Sequence, residues 1–208
     1  MTETNQSPTE TRGFPEITPI EAPPELERFA AAVRRLQDLA VSTSPDDDTW
    51  SSAAQRIESV CDDLEPFVVP DGQAPAGRAT KLPGLGHPLM PPWTFTASDD
   101  DGNVTMEGHF TRYHVGGNMA VHGGVIPLFY DWHFGMIVSA AGRPISRTAY
   151  LHVEYRAVTP IDVPLVSRGR IERIDGRKAF ITATMTDPEG TVLSEATGLM
   201  IKLLPHQP

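Results

Sequence analysis

Hydrophobic residues recur at helical spacing in two stretches near the N-terminus. In the segment PPELERFAAAVRRLQDLAVS, apolar positions repeat every three or four residues over 26–40, behind a Pro-Pro pair suited to a first helical turn. A second amphipathic stretch covers 50–64, and Asp48 or Thr49 can cap its start. The pattern predicts two helices, which we assign to an N-terminal extension over residues 25–66 that packs on the domain after it.

Two segments beside these helices lack hydrophobic periodicity. Residues 1–24 are rich in Thr, Glu and Pro and poor in large apolar side chains, which is typical of a flexible tail. Residues 67–92 carry many Pro and Gly residues, which predicts an irregular connector. The extension is therefore expected to be joined to the rest of the chain by a segment without regular structure.

From Trp93 onward the pattern changes to short alternating runs separated by turn residues. WTFTA and VTMEGHFT flank Asp101-Gly102-Asn103, which tolerates the positive φ of a hairpin turn. A long apolar segment over 123–141 predicts a helix, and four strand-like runs follow it: SRTAYLHVEYRAV, PLVSRGRIERI, KAFITATMTD and TVLSEATGLMIKLL. This order predicts an α+β domain over 93–204, in which an antiparallel sheet wraps one long central helix.

Composition narrows the class of protein. The chain has 208 residues, 39% of them hydrophobic and 21% charged, and its formal net charge of -10 argues against nucleic acid as a partner. Its single cysteine, Cys61, excludes a disulfide within one chain. The N-terminus lacks the pattern of a signal peptide, and no apolar run is long enough to span a bilayer. We therefore expect no membrane span and a cytoplasmic location.

Histidines raise the question of a metal site. His109, His114, His122 and His133 are near one another in sequence, but their spacing matches no strong zinc signature and the chain lacks the H-E-x-x-H pattern. We predict that no metal is bound. His133 is expected to be structural or at a subunit interface, because two residues turn it away from the face of Asp131.

The predicted central helix begins with two glycines, which lower helix stability, and contains an acid, whose burial among apolar residues is unfavourable. Gly123 and Gly124 let a substrate approach the unpaired N–H groups of the helix start, although close packing on a strand is an equal explanation. Asp131 lies among apolar residues, where an isolated carboxylate is expensive to bury. It is either functional or paired with an arginine such as Arg147 or Arg156.

The spacing of these residues has a consequence for assembly. Gly123 and Asp131 are eight residues apart, or about 12 Å along a helix, which is too far for one helix to grip a carbonyl oxygen and attack the adjacent carbon. Two antiparallel copies of the helix across a two-fold axis would bring the glycines of one subunit near Asp131 of the other. A catalytic function therefore predicts a homodimer with two equivalent interfacial sites.

The motif VHGGVIPLFYDWHFG, followed by RTAYLHVEYRAVTP and GRKAFITATMTDPEGTVLSEATGLMIKL, resembles the hotdog-fold acyl-CoA thioesterases of the PaaI and THEM type. The resemblance implies a hotdog fold, dimers that often pair into tetramers, and hydrolysis of an acyl-CoA thioester without metal or organic cofactor. By position, it implies that the motif histidine His122 and Gly123 belong to the catalytic site, with Gly123 giving the oxyanion N–H. Asp131 would be the nucleophile or general base, and Thr148 would hold the attacking water or the carboxylate.

One position departs from the family pattern. The family often has Asn six residues before the motif histidine, a place filled here by Gly116, while the nearest asparagine is Asn118. We treat Asn118 as a candidate substrate-binding residue that a shifted loop could bring to the site, together with Gly124. If it does not reach the site, the contact from this asparagine is missing.

The phosphates of coenzyme A need cations. Arg177 and Lys178 in the predicted turn DGRK are the best candidates, with Arg143 and Arg147 behind them, although a basic turn is also well explained by simple solvation.

Two other functions remain open at this point. The chain could be a non-catalytic hotdog protein that binds an acyl ligand, or a hydratase or dehydratase using a histidine such as His109 with an acid.

The N-terminal helices have two possible roles. They could cover an acyl tunnel or bury an edge of the sheet.

Overall fold

The computed structural model describes residues 18–99 and 102–204, so most of the predicted tail lies outside the described residues. Within these residues, the regular structure comprises three α-helices, three short 3₁₀ helices and eight strands. The α-helices are α1 (Pro24–Ser42), α2 (Asp47–Leu64) and α3 (Val125–Ala140). The strands are β1 (Trp93–Ser98), β2 (Val104–Gly108), β3 (Val115–Gly117), β4 (Ala120–Val121), β5 (Ser146–Tyr155), β6 (Leu165–Asp175), β7 (Lys178–Thr186) and β8 (Val192–Lys202).

Six strands form one antiparallel sheet in the order β1-β2-β6-β7-β8-β5, while β3 and β4 form a separate short hairpin. The predicted hairpin is β1 and β2, and the four strand-like runs near the C-terminus are β5 to β8. The strands with alternating burial turn one face towards α3. The predicted α+β architecture, with a sheet around one long helix, is confirmed.

Helix α3 supplies the centre of the core. Its buried residues recur every three or four positions: Ile126, Phe129, Tyr130, His133, Phe134, Ile137 and Val138. They meet the inner face of the sheet, where Trp93 packs against Phe129 with ring centroids 4.2 Å apart and ring planes tilted by 44°. The helix is shorter than the predicted 123–141, because Gly124 is its N-cap and Ala141 its C-cap.

The polar groups that α3 buries have partners in the sheet. His133 is fully buried, with Nδ1 3.0 Å from the Ser167 hydroxyl and Nε2 3.3 Å from the Val104 carbonyl oxygen. Burial lowers the pKa of His133 to about 4, so the ring is neutral near pH 7. The Tyr130 hydroxyl lies 2.9 Å from the Ser194 carbonyl, to which it donates. His133 is thus a structural residue of the core.

The two N-terminal helices differ in how they pack. Helix α1 is fixed to the connector by Arg34, whose guanidinium donates to the carbonyl oxygens of Met90 at 2.8 Å and Pro83 at 2.9 Å. Neither helix has a fully buried residue, and apolar side chains such as Phe29 of α1 and Trp50 of α2 are exposed. Within the described residues, the side-chain hydrogen bonds of α2 stay inside the helix and its N-cap, whereas α1 is bonded to the connector.

The start of α2 differs from the prediction. Asp46 is the N-cap, and its carboxylate accepts from the backbone N–H of Thr49 at 2.8 Å, so Asp48 and Thr49 lie inside the first turn. The acids that follow Asp46 favour the helix start through the macrodipole, which explains why the helix extends back over them. None of the helices in the described part of the chain is both long and apolar enough to cross a membrane.

Candidate active site

A tight turn joins strand β4 to helix α3. The His122 carbonyl accepts from the Val125 N–H at 2.9 Å, and Gly124 has φ -74° and ψ -18°, the conformation of the third residue of a type I turn. The Gly124 N–H donates to His122 Nδ1 at 3.0 Å. Because Nδ1 accepts this bond, the proton of the neutral imidazole sits on Nε2. We call residues 122–125 the HGG turn.

Gly123 presents an available donor in this turn. Its backbone N–H has no hydrogen-bond partner within residues 18–99 and 102–204, and the residue is exposed. An added Cβ would meet the Tyr155 hydroxyl oxygen alone, at 3.9 Å, so the space beside this N–H is open. A carbonyl oxygen could therefore approach the N–H at the positive end of α3.

Asp131 is exposed on the side of α3 that faces away from the core. The unfavourable burial expected from its apolar neighbours is therefore absent in the single chain, because the buried stripe of the helix passes on its other side. Its carboxylate oxygen Oδ1 accepts from the Thr148 hydroxyl at 2.5 Å. The structure thus brings together Asp131 and Thr148, two of the predicted catalytic residues.

Arg156 does not form the alternative ion pair with Asp131. That side chain pairs with Glu154 and with Glu195, where Nε lies 2.6 Å from the carboxylate. The ion pairs found among the described residues do not include Asp131. Its hydrogen bond from Thr148 leaves the rest of the carboxylate free to act on a ligand.

The two halves of the predicted site lie apart in one chain. Gly123 precedes α3 and Asp131 lies in its second turn, so the two remain about 12 Å apart along the axis. Asp131 is bonded to β5, which lies at the edge of the six-stranded sheet. An edge strand presents unpaired backbone groups that a second chain can meet.

Asn118 lies at the tip of the β3–β4 hairpin. Asn118 and Met119 both have positive φ, 48° and 59°, as in a two-residue type I′ turn, for which asparagine is well suited. The described contacts do not join its side chain to Gly123 or Asp131. The structure therefore explains Asn118 by the turn that it forms, and does not bring it together with the other candidate residues.

Gly116 occupies the place where the family often has Asn. A Cβ at this position would lie 2.8 Å from the His122 Cα and 3.1 Å from the His122 Cβ. The register of the hairpin shifts at this residue, which turns it towards His122. The glycine therefore lets β3 lie directly against the start of the HGG turn.

We expect Gly116→Asn to destabilise the fold by about 1 to 3 kcal/mol, because an overpacked contact must be relieved by moving His122. Thermal or denaturant unfolding measures this loss. Gly117→Asn is the matched control, since a Cβ there meets nothing within 4 Å. Equal stability of the two variants would show that the turn adapts to a side chain at position 116.

Helix α1 contacts the segment that supports the HGG turn. The Asp38 carboxylate accepts from the Tyr113 N–H at 2.9 Å, and the carbonyl of His114 accepts from the His122 N–H at 2.8 Å. The His114 ring is buried, and burial lowers its pKa to about 4. The N-terminal extension is therefore linked to the candidate site through one short turn.

Arg177 and Lys178 lie at the turn between β6 and β7. Arg177 donates to the Lys202 carbonyl at 3.1 Å, and the Arg143 guanidinium lies 3.5 Å from the Arg177 carbonyl. This basic cluster is at the C-terminal end of α3, and the HGG turn is at the other end. Among the described residues, no group of three or more His, Cys, Asp or Glu side chains is placed to hold a metal ion.

A sheet wrapped around one long helix is the hotdog fold, and with paired glycines at the helix start and an acid eight residues later the chain is similar to thioesterase-superfamily proteins of the PaaI and THEM type. The crystal structure of a thioesterase superfamily protein matches with a TM-score of 0.74 and 25% identity, over 88% of this chain and 97% of that one. This share exceeds residues 93–204, so the match includes part of the chain before the predicted hotdog domain.

Curated relatives match a shorter segment. Acyl-coenzyme A thioesterase THEM4 of Rattus norvegicus is 36% identical over 89 residues, which are 42% of this chain and 38% of the relative. THEM4 of Bos taurus is 32% identical over 88 residues, 42% of this chain and 35% of the relative. The match thus spans little more than a third of the length of these relatives. No family model matches the chain.

A structure from Streptococcus mutans, described as bound to acetyl CoA, has a TM-score of 0.50 and 16% identity over 55% of this chain and 91% of that one. At this identity the similarity concerns the fold.

Proposed function

We propose that this protein hydrolyses acyl-CoA thioesters to a free acid and coenzyme A. The observation that carries the proposal is the exposed Asp131 carboxylate held by Thr148 at 2.5 Å, in a chain whose Gly123 N–H is available at the start of the same helix. The acyl-CoA thioesterase activity in the names of the THEM4 relatives supports the choice of substrate.

The chemistry needs a donor for the developing oxyanion and a group that activates the attack. A thioester carbonyl held by the Gly123 N–H develops negative charge on its oxygen, and one preorganised donor contributes roughly 3 to 4 kcal/mol to the transition state. Asp131 removes a proton from a water that attacks the carbonyl carbon, or attacks it directly to give an acyl intermediate that water then hydrolyses. The C–S bond breaks, and the thiolate of coenzyme A leaves without a strong acid.

The active unit of this proposal is a homodimer. Asp131 and Gly123 of one chain are about 12 Å apart along α3, so they cannot act on the same carbonyl group. Two antiparallel α3 helices would place Gly123 of each subunit near the carboxylate of the other, and the edge strand β5 would lie at this interface. Pairing of two such dimers into a tetramer is compatible with this arrangement.

The basic cluster of Arg143, Arg177 and Lys178 is proposed to bind the phosphates of coenzyme A. It lies at the C-terminal end of α3, and the helix ends nine residues after Asp131. If this assignment is correct, neutralising these residues lowers the affinity of the protein for coenzyme A.

The function is tested by thiol release from short, medium, long and aromatic acyl-CoAs. We expect release by the wild type, and a kcat about 10² to 10³ times lower for Gly123→Pro, because proline removes the oxyanion N–H. Gly123 is the second residue of a type I turn, where proline is favoured, so the backbone should keep its course.

Gly123→Ala is the matched control for this substitution. It keeps the N–H, and its Cβ would make an ordinary contact of 3.9 Å with the Tyr155 hydroxyl. Loss of activity by a similar factor in both variants would contradict the assignment of the donor. Binding of acyl-CoA without any thiol release would favour the non-catalytic acyl-ligand binding protein, for which Gly116 in place of Asn is the supporting observation.

A further inference from the structure

One strand is hydrogen-bonded to both halves of the proposed site. Near the start of β5, the Thr148 hydroxyl donates to the Asp131 carboxylate. At the end of the same strand, the Tyr155 hydroxyl donates to the Gly123 carbonyl at 2.7 Å. The strand therefore runs antiparallel to α3 and contacts it at the acid and at the HGG turn.

The lengths of the two elements explain why a long side chain is needed at position 155. Seven residues of strand span up to about 23 Å at about 3.3 Å per residue. The eight residues from Gly123 to Asp131 span about 12 Å of helix. Because the path along the strand is longer than the path along the helix, the backbone of Tyr155 need not lie beside Gly123, and the tyrosine side chain spans the distance to the Gly123 carbonyl.

The bond from Tyr155 ties the HGG turn to β5. The peptide group that carries the Gly123 N–H also carries the His122 carbonyl, which accepts from the Val125 N–H within the turn. The peptide group that carries the Gly123 carbonyl also carries the Gly124 N–H, which donates to His122 Nδ1. Neither of these two bonds reaches β5. The Tyr155 hydroxyl thus supplies the hydrogen bond that fixes the turn, and with it the Gly123 N–H, against the sheet.

We infer that Tyr155 is a positioning residue that fixes the direction of the Gly123 N–H for the oxyanion. This inference rests on the proposed thioesterase function. It assigns to Tyr155 an effect on the turnover step, because the bond holds the donor that meets the charge of the transition state and does not hold the bound substrate.

The test compares Tyr155→Phe with Tyr150→Phe in the full chain. Both tyrosines lie on β5 with similar exposure, 54% and 49%, and Tyr150 has no role in the proposed site. We expect Tyr155→Phe to lower kcat about 5- to 20-fold with KM within about twofold, and Tyr150→Phe to leave both unchanged. Glycine-selective ¹⁵N labelling gives a second readout, because the Gly123 carbonyl and the Gly124 N–H share one peptide group.

Three results separate the inference from the function. A fall in kcat together with a displaced Gly124 amide resonance in Tyr155→Phe alone supports the positioning role. An unchanged kcat, or a change confined to KM, overturns it while the wild-type activity stands. If the wild type releases no thiol, the proposed function fails, and the Gly124 resonance decides: displacement in Tyr155→Phe shows that the tyrosine holds the turn, and no displacement overturns the inference.

Discussion

Asp131→Asn is expected to lower kcat for thioester hydrolysis by at least about 10³-fold, because the amide can neither attack the thioester nor remove a proton from water. The substitution preserves the shape of the side chain, and the amide oxygen can still accept from the Thr148 hydroxyl. We therefore expect an unchanged fold. Thiol release under saturating acyl-CoA, with circular dichroism and size-exclusion chromatography, measures both expectations.

Glu189→Gln is a suitable control for the loss of one carboxylate. Glu189 is exposed in the turn between β7 and β8, outside the proposed site, so this variant should retain the wild-type kcat. A kcat of Asp131→Asn within tenfold of the wild type would rule out Asp131 as the nucleophile or base. In that case the hydrogen bond from Thr148 to Asp131 would have only a structural role.

The hydrophobic pattern predicted most of the fold because the pattern is local. The long apolar run of α3 and the alternating runs of β6 and β7 determine which side chains can be buried. The pattern was less informative about Asp131. Its neighbours Leu128 and Trp132 are half-buried beside the exposed carboxylate, so their apolar character suggested a burial that the single chain does not impose.

The contacts that support the HGG turn could not be predicted from the sequence. Tyr155 bonds a residue 32 positions away, and Asp38 bonds Tyr113 across 75 positions. No periodicity or spacing links such residues, because their proximity depends on the whole path of the sheet. Gly116 is similar: its replacement of the family's Asn was visible in the sequence, but its packing against His122 required the fold.

Mixing two inactive variants gives the sharpest test of an intersubunit site. We expect Asp131→Asn chains unfolded and refolded together with Gly123→Pro chains to recover about a quarter of the wild-type activity, since half of the dimers are mixed and each mixed dimer has one intact site. The intact site combines Gly123 of the first chain with Asp131 of the second. Each variant refolded alone should remain inactive.

The recovery depends on which chain supplies each group. If Gly123 and Asp131 acted on the same carbonyl from one chain, every site in a mixed dimer would carry a lesion, and mixing would restore nothing. The spacing of about 12 Å along α3 makes that arrangement incompatible with simultaneous contact at one thioester. Recovery near one quarter, measured as thiol release per total chain, would therefore establish that the catalytic donor and acid come from different subunits.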